Sequence, residues 1–442
     1  MKNTVLSSIV FSASVMFLVA RAASGQIADA PDGKVAGIPV NYTEARVGTY
    51  TLPDPLKLDN GQVVKDAKTW TERRRPELLK YYESEIYGRI PATAPKVTWQ
   101  VVSNDASALG GTATLKELAG HMGSPDGPAI AATLYTPVKV TKPVPILVSI
   151  SFNFPAGRRA RGAGPTNVTN SPSREATVAS TNAVGAGGGG LAMRGTPSEL
   201  ISHGFGYARI IYNSIETDIE GQTNINLARK LALSPGQTAP AVDEWGTIDA
   251  WAWGLSRFVD YLETEPAVDS RRIAITGVSR LGKTVLWAGA NDPRIALVIA
   301  SCSGEGGAAL SLRNYGETIA HLVTPARYPY QFARNYAKYA NDPGSLAVDT
   351  HCLIALMAPR PLLLQTGDTD RWSDPKGEFV AAVAARPVFE LFHKKGPEAD
   401  QMPDAGQLVG DTLTYYMHPG GHGTIPSDWD VYLKFLEQHL KP

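Results

Sequence analysis

One serine of this chain lies where a strand, a tight turn and a helix are expected to follow one another directly. Residues 272–283 read Arg-Ile-Ala-Ile-Thr-Gly-Val-Ser-Arg-Leu-Gly-Lys, so Ser279 follows an apolar run. Such a turn exposes a serine above a sheet, and nearby glycines relieve its crowded backbone. Gly277 fits the G-x-S-x-G elbow, but the second glycine, Gly282, comes one position late. We interpret Ser279 as a nucleophile; the alternative is a serine that only caps the following helix.

The same turn would stabilise negative charge. The backbone N–H of Arg280, the residue after the nucleophile, would point to where the oxygen of a tetrahedral intermediate develops, near a helix N-terminus. The charged side chain of Arg280 would add electrostatic stabilisation. The predicted chemistry is therefore acyl transfer through a serine.

A nucleophilic serine needs a general base, which comes last in the chain order Ser, Asp or Glu, His. Near the C-terminus the sequence reads His418-Pro-Gly-Gly-His422-Gly, after an apolar segment and before a predicted terminal helix. We choose His422 over His418 as the base because the glycines around it let its backbone bend towards the serine.

The acid that orients the base is expected between the serine and the histidine. The loop that follows the apolar segment 360–365 contains three candidates: Asp368, Asp370 and Asp374. Asp370 is preferred because it lies well past the strand end, beside Trp372. The other two aspartates are the residue type that caps turns.

Strands and helices alternate along the chain and would position these residues. Apolar runs typical of buried parallel strands occupy 144–150, 206–212, 272–276, 296–300 and 360–365. Alternating residues over 96–136 predict antiparallel strands, and helical patterns occupy 70–88, 244–262 and 428–440. The order predicts an α/β fold with a mostly parallel sheet, helices on both faces, and long polar insertions near 152–200 and 213–240. We expect residues 26–442 to form one catalytic domain.

Composition excludes several classes of protein. The 442 residues contain 42 basic and 42 acidic side chains without a basic stripe, which argues against a nucleic-acid partner. Residues 1–25 have Lys2, an apolar run and small residues, which predict a cleaved secretory signal peptide and a periplasmic or extracellular protein. No other segment is long and apolar enough for a membrane span. Neither a metal site nor a cofactor is predicted, and whether Cys302 and Cys352 pair stays open.

Gly277-Val-Ser-Arg-Leu-Gly-Lys283 resembles the G-x-S-R-x-G-K signature of the glucuronoyl esterases, carbohydrate esterase family 15. The late glycine fits this family. Further similar segments are SFNFPAG at 151–157, SGEGGAAL at 303–310, RNYGET at 313–318, LIALMAPRP at 353–361, DRWSDPKGE at 370–378 and HPGGHG at 418–423. The resemblance spans nearly all of the mature chain. It implies the α/β-hydrolase fold, a three-layer sandwich.

Enzymes of that family cleave the ester between lignin alcohols and the 4-O-methyl-glucuronic acid carried on xylan. The resemblance implies Ser279 as nucleophile, His422 as base and Arg280 as an oxyanion contributor. Lys283 and Glu317 would then hold the hydroxyls of the uronate ring, with Trp372 packing on the sugar. Lys283 lies one helical turn after Ser279 and can face the same pocket. The alternative for Lys283 and Glu317 is a structural salt bridge.

The chain departs from the family at one position. Fungal members carry the acid as a glutamate just before the Ser-Gly pair, where this chain has Cys302. A thiol cannot accept and orient the histidine N–H as a carboxylate does. Many bacterial members look as if they use an aspartate instead, placed after the strand that comes later in the chain. The resemblance assigns this position to Asp370. Glu305, three residues from the fungal position, is the second candidate.

The same residues are consistent with two other functions. An acetyl or feruloyl esterase of plant polysaccharide would keep Ser279, Asp370 and His422 without needing Lys283 and Glu317. A catalytically degenerate homologue that only binds polysaccharide is favoured by Cys302 alone. We expect a monomer whose partner is a polysaccharide ester, with no membrane and no nucleic acid involved.

Overall fold

A computed structural model describes residues 27–152, 197–398 and 401–441. The predicted signal peptide and most of the 152–200 insertion, including nearly all of SFNFPAG, lie outside these residues. The strands are β1 Gly33–Val35, β2 Ile38–Val40, β3 Val97–Ser107, β4 Ala113–Met122, β5 Ala129–Pro137, β6 Val144–Ser151, β7 Gly206–Ile211, β8 Val268–Val278, β9 Ile295–Ser301, β10 Leu362–Gly367, β11 Leu408–Gly410 and β12 Leu413–His418.

The helices agree in part with the predicted segments. They are α1 Ala67–Thr69, α2 Arg75–Tyr81, α3 Ala108–Gly111, α4 Pro197–Ser202, α5 Ala228–Leu231, α6 Thr247–Leu262, α7 Arg280–Asn291, α8 Ile319–Val323, α9 Thr350–Ala355, α10 Pro375–Glu390 and α11 Asp428–Leu440. The predicted helix at 70–88 is α-helical only in α2, because π-helical turns, Trp70–Arg74 and Tyr82–Ile86, flank it. No helix in the described part of the chain is long and apolar enough to cross a membrane.

Ten strands of the described residues form one sheet in the order β11-β12-β10-β9-β8-β6-β7-β5-β4-β3. The strands from β12 to β7 are parallel, whereas β11 and the run β5, β4, β3 are antiparallel to their neighbours. The prediction of a mostly parallel sheet with antiparallel strands over 96–136 is therefore confirmed.

Helices cover both faces of the sheet. Alternate residues of β9 show the two faces: Val298 and Ala300 pack in a core with α6, α7, α9 and α10, whereas Leu297 and Ile299 pack in a core with α4 and α11. Side chains of a strand alternate between faces, so β9 is buried on both sides. The predicted three-layer sandwich is confirmed.

The topology brings four chain segments to one edge of the sheet. Strands β8, β9, β10 and β12 are adjacent and parallel, and all four end there. The residues that follow these strands are, in order, Ser279, Cys302, Asp368 and Pro419. The segments predicted to carry chemistry therefore meet at the carboxyl edge of the sheet.

Candidate active site

Ser279 lies on a sharp, strained turn between β8 and α7. Its φ of 62° is in the left-handed region, which is uncommon for a residue with a Cβ. Its backbone N–H donates to the carbonyl of Ser301 at 2.8 Å, which ties the turn to the end of β9. Although Ser279 is the N-cap residue of α7, its hydroxyl makes no capping hydrogen bond. The geometry therefore favours the nucleophile elbow over the capping alternative.

Close packing explains the two glycines of this turn. A Cβ on Gly277 would lie 2.4 Å from the carbonyl oxygen of Leu281, and one on Gly282 would lie 2.6 Å from that of Ser301. Both distances are too short for a methyl group. Gly282 therefore lies where the first turn of α7 contacts the end of β9. Leu281, which occupies the position of the second glycine in the G-x-S-x-G motif, is buried in the core.

His422 and Asp370 are paired at the same edge of the sheet as the Ser279 turn. Nδ1 of His422 lies 2.7 Å from Oδ2 of Asp370, and the Ser373 hydroxyl lies 3.3 Å from the same nitrogen. Burial favours the neutral form of Asp370, but hydrogen bonds from His422 and Ser373 outweigh it and lower the pKa of Asp370 below its ordinary value. An ionised carboxylate at Nδ1 favours the tautomer in which Nε2 is the basic nitrogen.

The side chain of Cys302 binds the loop that carries His422. Its Sγ accepts the N–H of Gly423 at 3.2 Å and donates to the carbonyl of the same residue at 3.3 Å. Burial raises the pKa of the Cys302 thiol well above its usual range, so the group is neutral. The thiol, the Asp370 carboxylate and the His422 ring lie within 4.8 Å of one another. Cys302 thus holds the residue after His422, and both it and Cys352 are free and buried.

The second histidine candidate has a structural environment. His418 is buried, and its ring nitrogens contact the Asp428 carboxylate at 2.9 Å and the carbonyl of Gly421 at 3.0 Å. The carboxylate of Asp368 accepts the N–H of Gly420 at 2.8 Å. These contacts stabilise the loop that carries His422, and the hydrogen bonds described for His422 go to Asp370 and Ser373 rather than to His418 or Asp368.

The remaining acid candidates also have other partners. Asp374 forms a buried ion pair with Arg313 at 2.8 Å and caps α10. Glu305 is buried and accepts hydrogen bonds from Ser311 at 2.6 Å and Tyr336 at 3.0 Å. Of the acids considered from the sequence, Asp370 is the one whose carboxylate is hydrogen-bonded to the His422 ring.

Arg280 follows the nucleophile and has a partner that the sequence did not suggest. Its Nη1 donates to Oδ2 of Asp218 at 2.8 Å, and its guanidinium lies 4.3 Å from the ring centroid of Tyr328. Asp218 belongs to the polar insertion at 213–240, which has no periodicity that would place it. The structure therefore adds Asp218 to the residues near the serine.

Lys283 and Glu317 are brought together as predicted, in a buried cluster that also contains Arg327. Nζ of Lys283 lies 3.3 Å from Oε2 of Glu317, and Nη1 of Arg327 lies 2.9 Å from Oε1. Burial opposes ionisation of Glu317, but the two cations outweigh it and lower the pKa of Glu317. Lys283 and Glu317 thus form the salt bridge of the alternative interpretation, one helical turn from the nucleophile. Sequence reasoning missed Arg327.

Trp372 borders the same cluster. The Arg327 guanidinium lies 5.1 Å from the Trp372 ring centroid, and the backbone carbonyl of Trp372 accepts the N–H of Glu317 at 2.9 Å. The indole is partly exposed. The predicted substrate residues therefore form one contiguous group with a polar and an apolar component, as a sugar site requires.

Comparisons with known proteins identify similar chains. Residues 240–393 match the family model described as glucuronyl esterase, fungi. The chain is 31% identical over 352 residues to 4-O-methyl-glucuronoyl methylesterase 1 of Wolfiporia cocos, covering 77% of this chain and 71% of that protein.

Solved structures give longer matches. The chain is similar to the glucuronoyl esterase from Solibacter usitatus, with 42% identity and a TM-score of 0.78 over 90% of this chain and 100% of that one. It is also similar to a promiscuous CE15 esterase from a marine bacterial metagenome, with 35% identity and a TM-score of 0.76 over the same shares of the two chains.

Proposed function

Because the chain belongs to the glucuronoyl esterases of carbohydrate esterase family 15, we propose that it hydrolyses the ester between 4-O-methyl-D-glucuronic acid of glucuronoxylan and lignin alcohols. The observation that carries the proposal is the buried cluster of Lys283, Glu317 and Arg327 beside the Ser279 turn. A serine with its base and acid can cleave many esters. Hydrogen-bonding groups next to an indole, in contrast, are typical of a site that binds a sugar acid.

In the first half-reaction, Ser279 Oγ attacks the ester carbonyl while Nε2 of His422 accepts the hydroxyl proton. The ionised Asp370 orients the ring and stabilises the imidazolium that forms. The backbone N–H and side chain of Arg280 stabilise the negative oxygen of the tetrahedral intermediate. The C–O bond to the alcohol then breaks, and the His422 proton passes to the leaving alcohol.

The second half-reaction releases the sugar acid. Water loses a proton to His422 and attacks the acyl carbon, so a second tetrahedral intermediate forms at the same position. Its collapse returns the proton to Ser279 Oγ and frees the glucuronate. No metal or redox cofactor is needed to balance either half-reaction.

We further propose that residues 26–442 act as one catalytic domain, that the chain is exported after loss of residues 1–25, and that it works as a monomer. The charged and apolar pattern of residues 1–25 supports export. Plant cell-wall polymers also lie outside a microbial cell, so an exported enzyme can reach them.

A second candidate function is a broader esterase that removes acetyl or feruloyl groups from polysaccharide. It is favoured by one comparison, because the marine relative is described as promiscuous. Such an enzyme would use the same nucleophile and base but would gain little from the Lys283–Glu317 pair.

Hydrolysis of benzyl glucuronate, acetylated xylan and a simple acetate ester separates the two candidates. We expect the glucuronate ester to be strongly preferred. Lys283→Ala should raise KM for it by about tenfold or more, because a buried polar site loses a partner, while acetate turnover changes little. Ser279→Ala should abolish all turnover.

The matched control is Lys338→Ala, which removes a lysine from an exposed pair with Glu85 and should change neither reaction. Preference for acetate would keep Ser279 and His422 but remove the uronate assignment. Turnover by Ser279→Ala within about a hundredfold of the unmodified enzyme would remove the serine from its role.

A further inference from the structure

The Arg280 side chain is held by a carboxylate that comes from a different part of the chain. Oδ2 of Asp218 accepts a hydrogen bond from Nη1 of Arg280 at 2.8 Å, and the Asp218 side chain is only 2% exposed. The aromatic ring of Tyr328 lies 4.3 Å from the same guanidinium. An ion pair and a cation–π contact together restrict a side chain that is otherwise long and flexible.

The Asp218 carboxylate is itself fixed by further hydrogen bonds. Its Oδ1 accepts hydrogen bonds from the Tyr330 hydroxyl at 2.7 Å and from Nε2 of Gln331 at 3.5 Å. The two oxygens therefore have separate partners, and Arg280 supplies the compensating charge. A buried carboxylate held in this way cannot turn without losing partners, which is costly.

Glu216, two residues before Asp218, binds this insertion to the rest of the protein. The buried carboxylate of Glu216 accepts backbone N–H groups of Asn226 at 3.0 Å and Arg229 at 2.9 Å. The Glu216 carbonyl also accepts the indole N–H of Trp251, a core residue of α6, at 3.0 Å. The position of Asp218 is thus set by the packed body of the protein.

We propose that Asp218 is a positioning residue, which holds the Arg280 guanidinium beside the carbonyl oxygen of the bound ester. The inference rests on the proposed roles of Ser279 and Arg280. Donors that are already oriented when charge develops stabilise a transition state without reorganising.

Asp218→Asn keeps the shape of the side chain and removes its charge. We expect kcat to fall by about tenfold or more while KM changes by less than about twofold, because the oxyanion exists only in the transition state. The loss should be similar for benzyl glucuronate and for a simple acetate ester, since both pass through the same intermediate.

A double-mutant comparison separates positioning from a general structural effect. Arg280→Gln should lower kcat by about a hundredfold, as removal of one oxyanion donor does. Adding Asp218→Asn to this variant should lower kcat by less than about a further twofold. Equal losses in both backgrounds would overturn the proposal, because the effect would not pass through Arg280. So would a kcat of Asp218→Asn within about twofold of the unmodified enzyme.

Two further variants guard against misfolding. Tyr330→Phe removes only the hydroxyl that donates to Asp218 and should give a smaller loss of kcat in the same direction. Asp243→Asn disrupts an exposed ion pair with Arg89, 2.9 Å long, and should have no effect. Thermal unfolding of each variant shows whether the fold is retained.

The rate at which a serine-directed phosphonate labels Ser279 tests Asp218 independently of the substrate. The polarised phosphoryl oxygen of the adduct would lie where the ester carbonyl oxygen lies, and the adduct contains no sugar. If the glucuronate ester is not cleaved but Asp218→Asn still slows labelling only when Arg280 is present, the substrate proposal fails and the inference about Asp218 stands. If labelling is unchanged, the inference fails whichever ester is the substrate.

Discussion

At the scale of single residues, the partners of each buried carboxylate determine whether it can serve as the catalytic acid. Asp370 receives hydrogen bonds from the His422 ring and from Ser373, so its pKa is lowered and it stays ionised. The described hydrogen-bond partners of the Glu305 carboxyl are the hydroxyl groups of Ser311 and Tyr336, and burial raises its pKa to about 8. A carboxyl group that is neutral at pH 7 cannot stabilise an imidazolium.

We therefore expect Asp370→Asn to lower kcat by about a thousandfold or more, because an amide at Nδ1 favours the wrong imidazole tautomer. Glu305→Gln should lower kcat by less than about tenfold, since glutamine resembles the protonated acid that it replaces. Steady-state kinetics at pH 7 measure both, with thermal unfolding as a control for folding. The reverse order of effects would move the acid to Glu305.

Residue types and order were sufficient to predict that His422 and Asp370 lie close together and that Ser279 lies at the same edge of the sheet, because each follows a strand and parallel strands end at a common edge. Asp218 and Arg327 could not be predicted in this way. Each lies in a loop without periodic pattern, and Asp218 meets a partner 62 residues away. Ion pairs between loops form only in the packed fold, so no local pattern in the sequence predicts them.

At the scale of elements, helix α7 is fixed at both ends. Its N-terminus begins at the Ser279 turn, which hydrogen-bonds to the end of β9. At its C-terminus, Arg360 donates to the carbonyls of Gly289 at 2.6 Å and Asp292 at 3.0 Å. A cation at this end also complements the helix dipole. The elbow is therefore one end of a rigid element.

Gly282→Ala tests how tightly that element is packed. The added methyl would lie 2.6 Å from the Ser301 carbonyl oxygen, which also accepts the N–H of Ser279. We expect a loss of about 1–3 kcal/mol in the free energy of unfolding. We also expect kcat to fall by about tenfold or more, because the nucleophile is displaced. Urea unfolding and steady-state kinetics measure the two effects.

The matched control for this substitution is Gly344→Ala. A Cβ on Gly344 would meet nothing closer than a side-chain oxygen of Asp342 at 3.4 Å, so the variant should unfold and react as the unmodified enzyme does. If Gly282→Ala behaved like this control, close contact with β9 would not explain the late glycine.

Element prediction succeeded where the core imposes a pattern. The apolar run at 360–365 predicted β10, whose residues are buried on both faces. Strands β1, β2 and β11 were missed because each has only three residues, too few for a period to show. The π-helical turns around α2 were missed for another reason, because one extra residue in a turn hardly alters the spacing of apolar side chains.

At the scale of the whole molecule, an N-terminal strap (residues 28–46) joins the two loops that carry the proposed substrate residues. The carbonyl of Asn41 accepts the N–H of Gly316 at 3.0 Å, next to Glu317. The carbonyl of Ala28 accepts a hydrogen bond from Nε of Arg371 at 2.8 Å, next to Trp372. We infer that the strap sets the spacing between the carboxylate and the indole.

Glu44 is the electrostatic anchor of this strap. Its carboxylate contacts Nη2 of Arg313 at 2.9 Å and Nζ of Lys376 at 2.7 Å. Burial favours the neutral acid, but these two cations outweigh it and lower the pKa of Glu44 to about 2. Because Arg313 also pairs with Asp374 at the start of α10, the anchor links the strap to the loop that carries Asp370.

Glu44→Gln should therefore loosen the strap in a pH-dependent way. The folded pKa of about 2 lies below the ordinary glutamate value, so the stabilisation is complete above about pH 5 and is lost as the pH falls towards 2. The side chain is 39% exposed, and solvent screening limits the effect at pH 7 to about 1 kcal/mol. Urea unfolding at pH 7 and pH 4 should show the difference between variant and unmodified enzyme shrinking at the lower pH.

The same substitution should alter substrate binding if the strap sets the pocket. We expect KM for benzyl glucuronate to rise by about threefold or more while acetate hydrolysis is unchanged, because only the sugar acid uses the spacing between Glu317 and Trp372. Glu263→Gln is the control, since it removes a carboxylate of similar exposure, 43%, from a pair with Arg294. An unchanged KM together with a pH-independent difference in stability would mean that Glu44 neither anchors the strap nor shapes the pocket.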